Sequence, residues 1–367
     1  MSKRKTVGAL ILATLLAACG GGGPGPEEGQ VLPPVLLQSF VYVANNLNVA
    51  GNVAAFASDP NSGALTAVAG SPFLTGPNPN AVVFTPDGKF AYTANTGNIS
   101  AYAVNSGGTL SQLAGSPFFS GPLFMRGLAV HPSGKFLYAV GQGSTANITI
   151  FSIDTASGAL SNPIGSATAG TDPFSIVIDP SGKYAYVANS TSNDLSMFSI
   201  NATTGALSSL GLTVQAGTTP MSVAVDPAGR FVFVASQGSN SVSAYAIDAA
   251  SGLLTPSAAP IAAGTGTIAV TVDGGGKFVY AANATSNELS IYSIDANTGA
   301  LTSAGTASTP GGPRALAFEP GGKFLYVANA GVGAVSGYSQ NATTGALTAV
   351  GTPVASSGGF SIATIRR

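Results

Sequence analysis

Side chains that could do acid–base, nucleophilic or metal chemistry are few enough in this chain to be taken one at a time. Among 367 residues there is one histidine, His131, one cysteine, Cys19, and no tryptophan. His131 is a candidate general base, because an imidazole titrates near neutrality. One cysteine excludes an internal disulfide and a multi-cysteine zinc site. Thirteen Lys/Arg against fourteen Asp/Glu leave a net charge of −1 and only 7% charged residues. That excludes the basic footprint of a nucleic-acid binder. The sequence contains no G-x-S-x-G nucleophile elbow, and it implies neither a cofactor nor a metal.

The basic residues sort further. Lys3, Arg4 and Lys5 lie at the amino terminus, Arg366 and Arg367 at the carboxyl terminus, and six more occupy one place in a repeat. Arg126 and Arg314 remain. Two guanidiniums among apolar neighbours can hold a carboxylate or phosphate through paired N–H donors. They can equally close a rim by donating to loop carbonyls, and the residues alone leave both roles open.

The elements that position these residues come from the repeat. A Gly-basic-aromatic turn recurs as Gly88-Lys89-Phe90, Gly134-Lys135-Phe136, Gly182-Lys183-Tyr184, Gly229-Arg230-Phe231, Gly276-Lys277-Phe278 and Gly322-Lys323-Phe324. The spacings are 46, 48, 47, 47 and 46. Each turn leads into a strand of the type Phe-Leu-Tyr-Val-Ala-Asn, and a seventh copy, Phe40-Val41-Tyr42-Val43-Ala44-Asn45, stands without its turn. Four strands fit each unit: a small-residue strand A, this strand B, an alternating strand C such as Leu289-Ser290-Ile291-Tyr292, and a strand D after a turn such as Asn201-Ala202-Thr203-Thr204-Gly205. Four strands in about 47 residues is the period of propeller blades. Strands B, C and D occur seven times but complete A-to-B units only six. The segment Phe360-Ser361-Ile362-Ala363-Thr364-Ile365 supplies the missing strand A. The expected fold is all-β, a seven-bladed propeller of four-stranded blades over 38–367, with the C-terminal strand completing the first blade and closing the ring.

The repeat assigns places to the candidates. Arg126 and Arg314 share a column with Asn80, Phe174, Met221, Ile268 and Phe360, where the chain enters strand A, so they should ring one mouth of the central channel. His131 shares a column with Thr85, Asp179, Asp226, Asp273 and Glu319, where a polar side chain caps the following turn. That company argues for a structural histidine. The same carboxylate column is spread around a ring, one per blade, which does not suit a calcium site. Asp172 lies outside the columns and reads as a solvated loop carboxylate.

Residues 1–19 have a basic start, an apolar run and the ending Leu16-Ala17-Ala18-Cys19. They resemble a bacterial lipoprotein signal, which implies lipidation at Cys19 and attachment to the cell envelope, with Gly20 favouring the outer membrane. Residues 20–37 open with a Gly/Pro-rich run that reads as a flexible tether.

The repeats are similar to the YVTN-type repeat and to the seven-bladed lactonase-type propellers, a family that includes 6-phosphogluconolactonase and carboxymuconate cyclase. The likeness is carried by Pro-x-Gly-Lys-Phe-x-Tyr-Val-Ala-Asn and by Pro313-Arg314-Ala315-Leu316-Ala317-Phe318, and covers about 38–367. It implies a role for Arg126 and Arg314, which match the family's arginines ahead of strand A. The family's histidine after such an arginine is replaced by Gly127 and Ala315. Its glutamate after the strand-B asparagine is replaced by Asn46, Thr96, Gln142, Ser190, Gln237, Ala284 and Ala330. With that acid–base complement missing, the expected function is a membrane-anchored, non-catalytic propeller. It would be a monomer that binds a neutral polar or acidic small molecule, a glycan or a surface protein. The alternative is a lactone hydrolase with the arginine-bearing mouth as its active site.

Overall fold

The computed structural model describes residues 38–47, 50–142 and 147–367; the signal segment 1–19 with Cys19 and the tether 20–37 lie outside them. Every regular element among the described residues is a strand, and the strands form seven blades around a channel. Blade 4 shows the plan: strand A Pro173–Ile178, B Tyr184–Asn189, C Asp194–Ile200 and D Leu207–Gln215 pair antiparallel in that order. Burial follows position. Strand B is buried at every residue because both of its faces meet neighbouring blades, whereas strand D is exposed at most positions as the outer edge.

Ring closure is as the strand count predicts. Gly359–Arg366 pairs antiparallel with Ser39–Asn45, from Ser39 opposite Arg366 to Asn45 opposite Gly359. The carboxyl end thus supplies the innermost strand of blade 1. Blades 2 and 3 depart from the plan. In blade 2, strands B and C run together as Phe90–Val104, and strand D continues into the next strand A as Phe118–Val130, so the two blades share one hydrogen-bonded sheet. The physical reason is the turn. Blade 4 spends four residues between Asn189 and Asp194, whereas blade 2 spends two, Thr96 and Gly97, with Gly97 in the left-handed region at φ 80°.

The apolar interior is divided among seven clusters, most of which lie between adjacent blades. The cluster joining blades 4 and 5, for example, packs Tyr186 and Leu195 against Val232 and Val234. A repeated latch reinforces the seams. The strand-B tyrosine donates its hydroxyl to a glycine carbonyl in the C–D turn of the next blade: Tyr42 to Gly108, Tyr92 to Gly158, Tyr138 to Gly205, Tyr186 to Gly252, Tyr280 to Gly345 and, across the ring closure, Tyr326 to Gly63. Burial pushes these phenols well above the usual tyrosine range, so they remain donors. The turn glycine is required: at Gly63, with φ 72°, an added Cβ would come within 2.5 Å of the Phe324 ring.

Candidate active site at the channel mouth

The second residue of strand A stands at the channel mouth, and a local irregularity puts it there. The pairing of A with B slips between Met125 and Gly127, Pro173 and Ser175, Pro220 and Ser222, Thr267 and Ala269, Pro313 and Ala315, and Gly359 and Ser361. The residue skipped is Arg126, Phe174, Met221, Ile268, Arg314 or Phe360. A slip of this kind is a β-bulge, which leaves one residue unpaired and re-aims its side chain. Proline one position earlier in three of these blades suits the bulge, because it has no N–H to give to the ladder.

Together with Asn80, the six bulged residues line one cavity of about 190 Å³. The whole predicted column is thereby brought to one rim, with both arginines in it. Arg314 lies flat on Phe360, its Cζ 3.3 Å from the ring centroid, and Arg126 lies over Phe174 at 5.6 Å. Arg126 Nη2 donates to Gln142 Oε1 at 3.4 Å, while its buried Nε has no partner. The ion pairs among the described residues are Lys89–Asp87 and Arg230–Asp226, so neither mouth arginine has a carboxylate counter-charge. Burial and the like charge of Arg126 lower Arg314 to about 10, well below the usual guanidinium range. It therefore stays cationic at neutral pH. Gln142 occupies the place where the family resemblance leads one to expect glutamate, and its neutral amide leaves the charge of Arg126 uncompensated. Two unpaired guanidiniums facing one cavity can hold an anion or a developing oxyanion.

The other sequence-derived candidates lie elsewhere. His131 stands at the far end of strand A. Its Nδ1 accepts from the Ser133 N–H at 3.0 Å, and its Nε2 bonds the Gly182 carbonyl of the next blade at 2.9 Å. The geometry makes Nε2 the protonated nitrogen. The histidine is buried and absent from the arginine cavity, so its bonds cap a turn and tie two blades. Asp179, Asp226, Asp273 and Glu319 take backbone N–H groups of the same turn in their own blades. Asp172 accepts from Thr191 Oγ1 at 2.6 Å, which ties its loop to the B–C turn of the same blade. A larger cavity of about 630 Å³ opens at the opposite end of the channel, with Asp87 and Arg366 as its charged members.

Residue types alone did not reveal the roles of Phe174 and Phe360. The signal was the repeat period: residues of one column, one blade apart, are neighbours around the rim, and each phenylalanine follows an arginine by one blade.

The sequence of the family described as lactonase, seven-bladed β-propeller, matches at residues 37–171, 164–270 and 262–363. The chain belongs to this family. Within the lactonase propellers, a 6-phosphogluconolactonase of Formosa agariphila is 36% identical over 125 residues, which is 33% of this chain and 35% of that protein. The match thus spans about a third of the relative's length. Solved structures of candidate 6-phosphogluconolactonases from Bacteroides uniformis and Bacteroides fragilis superpose with TM-scores of 0.78 at 19% and 21% identity. They cover 90% and 92% of this lactonase propeller and 99% and 100% of their own chains. The periplasmic gluconolactonase of Pseudomonas aeruginosa gives 0.75 at 16% identity, covering 90% and 99%. At these identities the likeness to solved structures is one of fold.

Proposed function

We propose that this lactonase propeller hydrolyses a small lactone at its arginine-bearing mouth, and does so at the cell envelope, held by a lipid on Cys19. The observation that carries the catalytic reading is the pair of guanidiniums, Arg126 and Arg314, facing one cavity without a carboxylate partner. The family and the names of its members support lactone hydrolysis over the non-catalytic binding role.

Water attacks the lactone carbonyl and its oxygen bonds to the carbonyl carbon. The carbonyl electron pair moves onto the oxygen held by a mouth guanidinium. Collapse of the tetrahedral species then breaks the ring C–O bond, and a proton from the water ends on the leaving alkoxide, giving a hydroxy acid. The cavity lining contains no carboxylate or imidazole, so electrostatic stabilisation of the oxyanion is the main contribution of the protein. One such donor is worth roughly 10²–10³ in kcat.

The test is hydrolysis of simple and phosphorylated lactones by the purified protein beside the Arg126→Gln/Arg314→Gln double variant, after subtracting spontaneous opening. Turnover that survives the double change would place the site elsewhere. The envelope address rests on residues 1–19 and is tested separately. Cys19→Ser should release soluble protein or leave precursor, and unchanged partitioning into detergent would refute it.

A further inference from the structure

The rim is chemically lopsided. Blade by blade from the closing strand, it reads Phe360, Asn80, Arg126, Phe174, Met221, Ile268, Arg314. The arginines split it into a short arc, Phe360 and Asn80, and a long arc of three apolar side chains. The polar groups beside them are partly engaged. Asn80 donates to the Met125 carbonyl at 2.8 Å and accepts from Asn46 at 2.8 Å. Behind the rim, Ser175, Ser222 and Ser361 accept the N–H groups of Val223, Val270 and Val82 in the adjoining blades, at 3.4, 3.2 and 3.3 Å. The charge of the rim is therefore concentrated in two guanidiniums, which donate but cannot accept, and the arc of Phe174, Met221 and Ile268 presents no polar side chain. A sugar ring needs acceptors as well as donors for its hydroxyls, and each one buried without a partner costs affinity.

Resting on the lactonase reading, we infer that the substrate is an acidic lactone with an apolar body. Its anionic group would lie on one of the two arginines and its lactone carbonyl on the other, with the alkyl or aryl portion between them over Phe174, Met221 and Ile268; a polyhydroxylated sugar lactone fits less well. The cavity, about 190 Å³, is below the roughly 300–1,000 Å³ of most ligand pockets, which limits that body to about one small ring.

The experiment compares hydrolysis of dihydrocoumarin-6-carboxylate, dihydrocoumarin, glucono-δ-lactone and 6-phosphoglucono-δ-lactone. The carboxylated aryl lactone should exceed both sugar lactones at least tenfold in kcat/KM. Met221→Ser, or the milder Ile268→Thr, should shrink that ratio through KM for the aryl substrate. A sugar lactone turned over as fast or faster, with the ratio unmoved by either substitution, overturns the inference and leaves the lactonase reading standing. If none of the four is hydrolysed, the lactonase reading falls, and calorimetric binding of the opened aryl hydroxy acid against gluconate decides the ligand class. Tighter binding of the aryl acid, weakened by Met221→Ser, supports it; equal or tighter gluconate binding refutes it.

Discussion

Strand A has two ends, and the molecule treats them in opposite ways. At the turn end, His131, Asp179, Asp226, Asp273 and Glu319 differ in type, yet each accepts backbone N–H groups of its own turn. At the mouth end the column residue sits on a bulge, and two of the seven positions carry guanidiniums with no carboxylate beside them. One end shows what a repeat needs to fold, namely a filled hydrogen-bond inventory that several side chains can supply. The other shows where the repeat leaves electrostatic cost standing, and such sites are where function tends to reside.

The largest effect should come from a change that damages both ends at once. Removing residues 359–367 takes away the inner strand of blade 1, exposes the edge of Ser39–Asn45 and deletes Phe360 beneath Arg314. Loss of cooperative unfolding and aggregation are expected, followed by scattering and calorimetry. A truncated protein that melts within a few degrees of the parent would mean that closure matters little.

Next are the arginines, where function and stability should move in opposite directions. Arg126→Gln or Arg314→Gln should weaken binding of an acidic ligand by about 1.5–3 kcal/mol, typical of hydrogen bonds to charged groups. Arg314 is held at about 10, below the ordinary guanidinium value, by burial first and Arg126 second. Between those values the unfolded chain binds more protons than the folded one, so stability rises with pH through that window. Below it, neutral pH included, the charged Arg314 is a full liability. Arg314→Gln should therefore raise Tm at pH 7, and added phosphate or citrate should raise Tm in the parent but not in the variant. A lower Tm for Arg314→Gln would show that the guanidinium has a compensating partner in solution.

His131→Asp probes the turn end. Catalysis should be unchanged, because Asp fills this column in three other blades. The structure adds a cost that the column did not reveal: aspartate cannot donate to the Gly182 carbonyl as Nε2 does. A loss of about 1 kcal/mol in denaturant stability is expected. Abolished turnover in a folded variant would restore the histidine as catalyst.

What could be read beforehand follows the same division. The blades were legible because the Gly-basic-aromatic turn and strand B recur almost unchanged, and the mouth column because a repeat converts sequence position into angular position. The bulges were not legible, since Arg314 and Ile268 follow strand-like patterns whose skipped hydrogen bond leaves no mark on residue type. The stacking of Arg314 on Phe360 joins residues of two blades, one repeat apart. The Thr96-Gly97 turn has two residues where blade 4 has four, and its consequence depends on how strand D of blade 2 runs into strand A of blade 3.

The smallest effect should come from the one strand-B position that breaks the tyrosine latch. Six blades donate a phenol to a turn glycine, and the seventh has Phe233, fully buried, whose counterpart would be Gly299. Gly299 already packs on Phe231 as the other turn glycines pack on their leading aromatics: an added Cβ there would lie 2.3 Å from that ring. The backbone of the seam is thus in place and only the hydroxyl is missing. Phe233→Tyr should add one buried hydrogen bond, about 0.5–1.5 kcal/mol, and raise Tm by a few degrees without touching lactone turnover. The gain is bounded by packing, because a buried ring that gains an oxygen must find room for it. A fall in Tm would show that the blade 5–6 seam has closed over that space, and that its strength comes from apolar contact and from Arg230, whose Nη1 donates to the Ala296 carbonyl at 2.9 Å across the same seam.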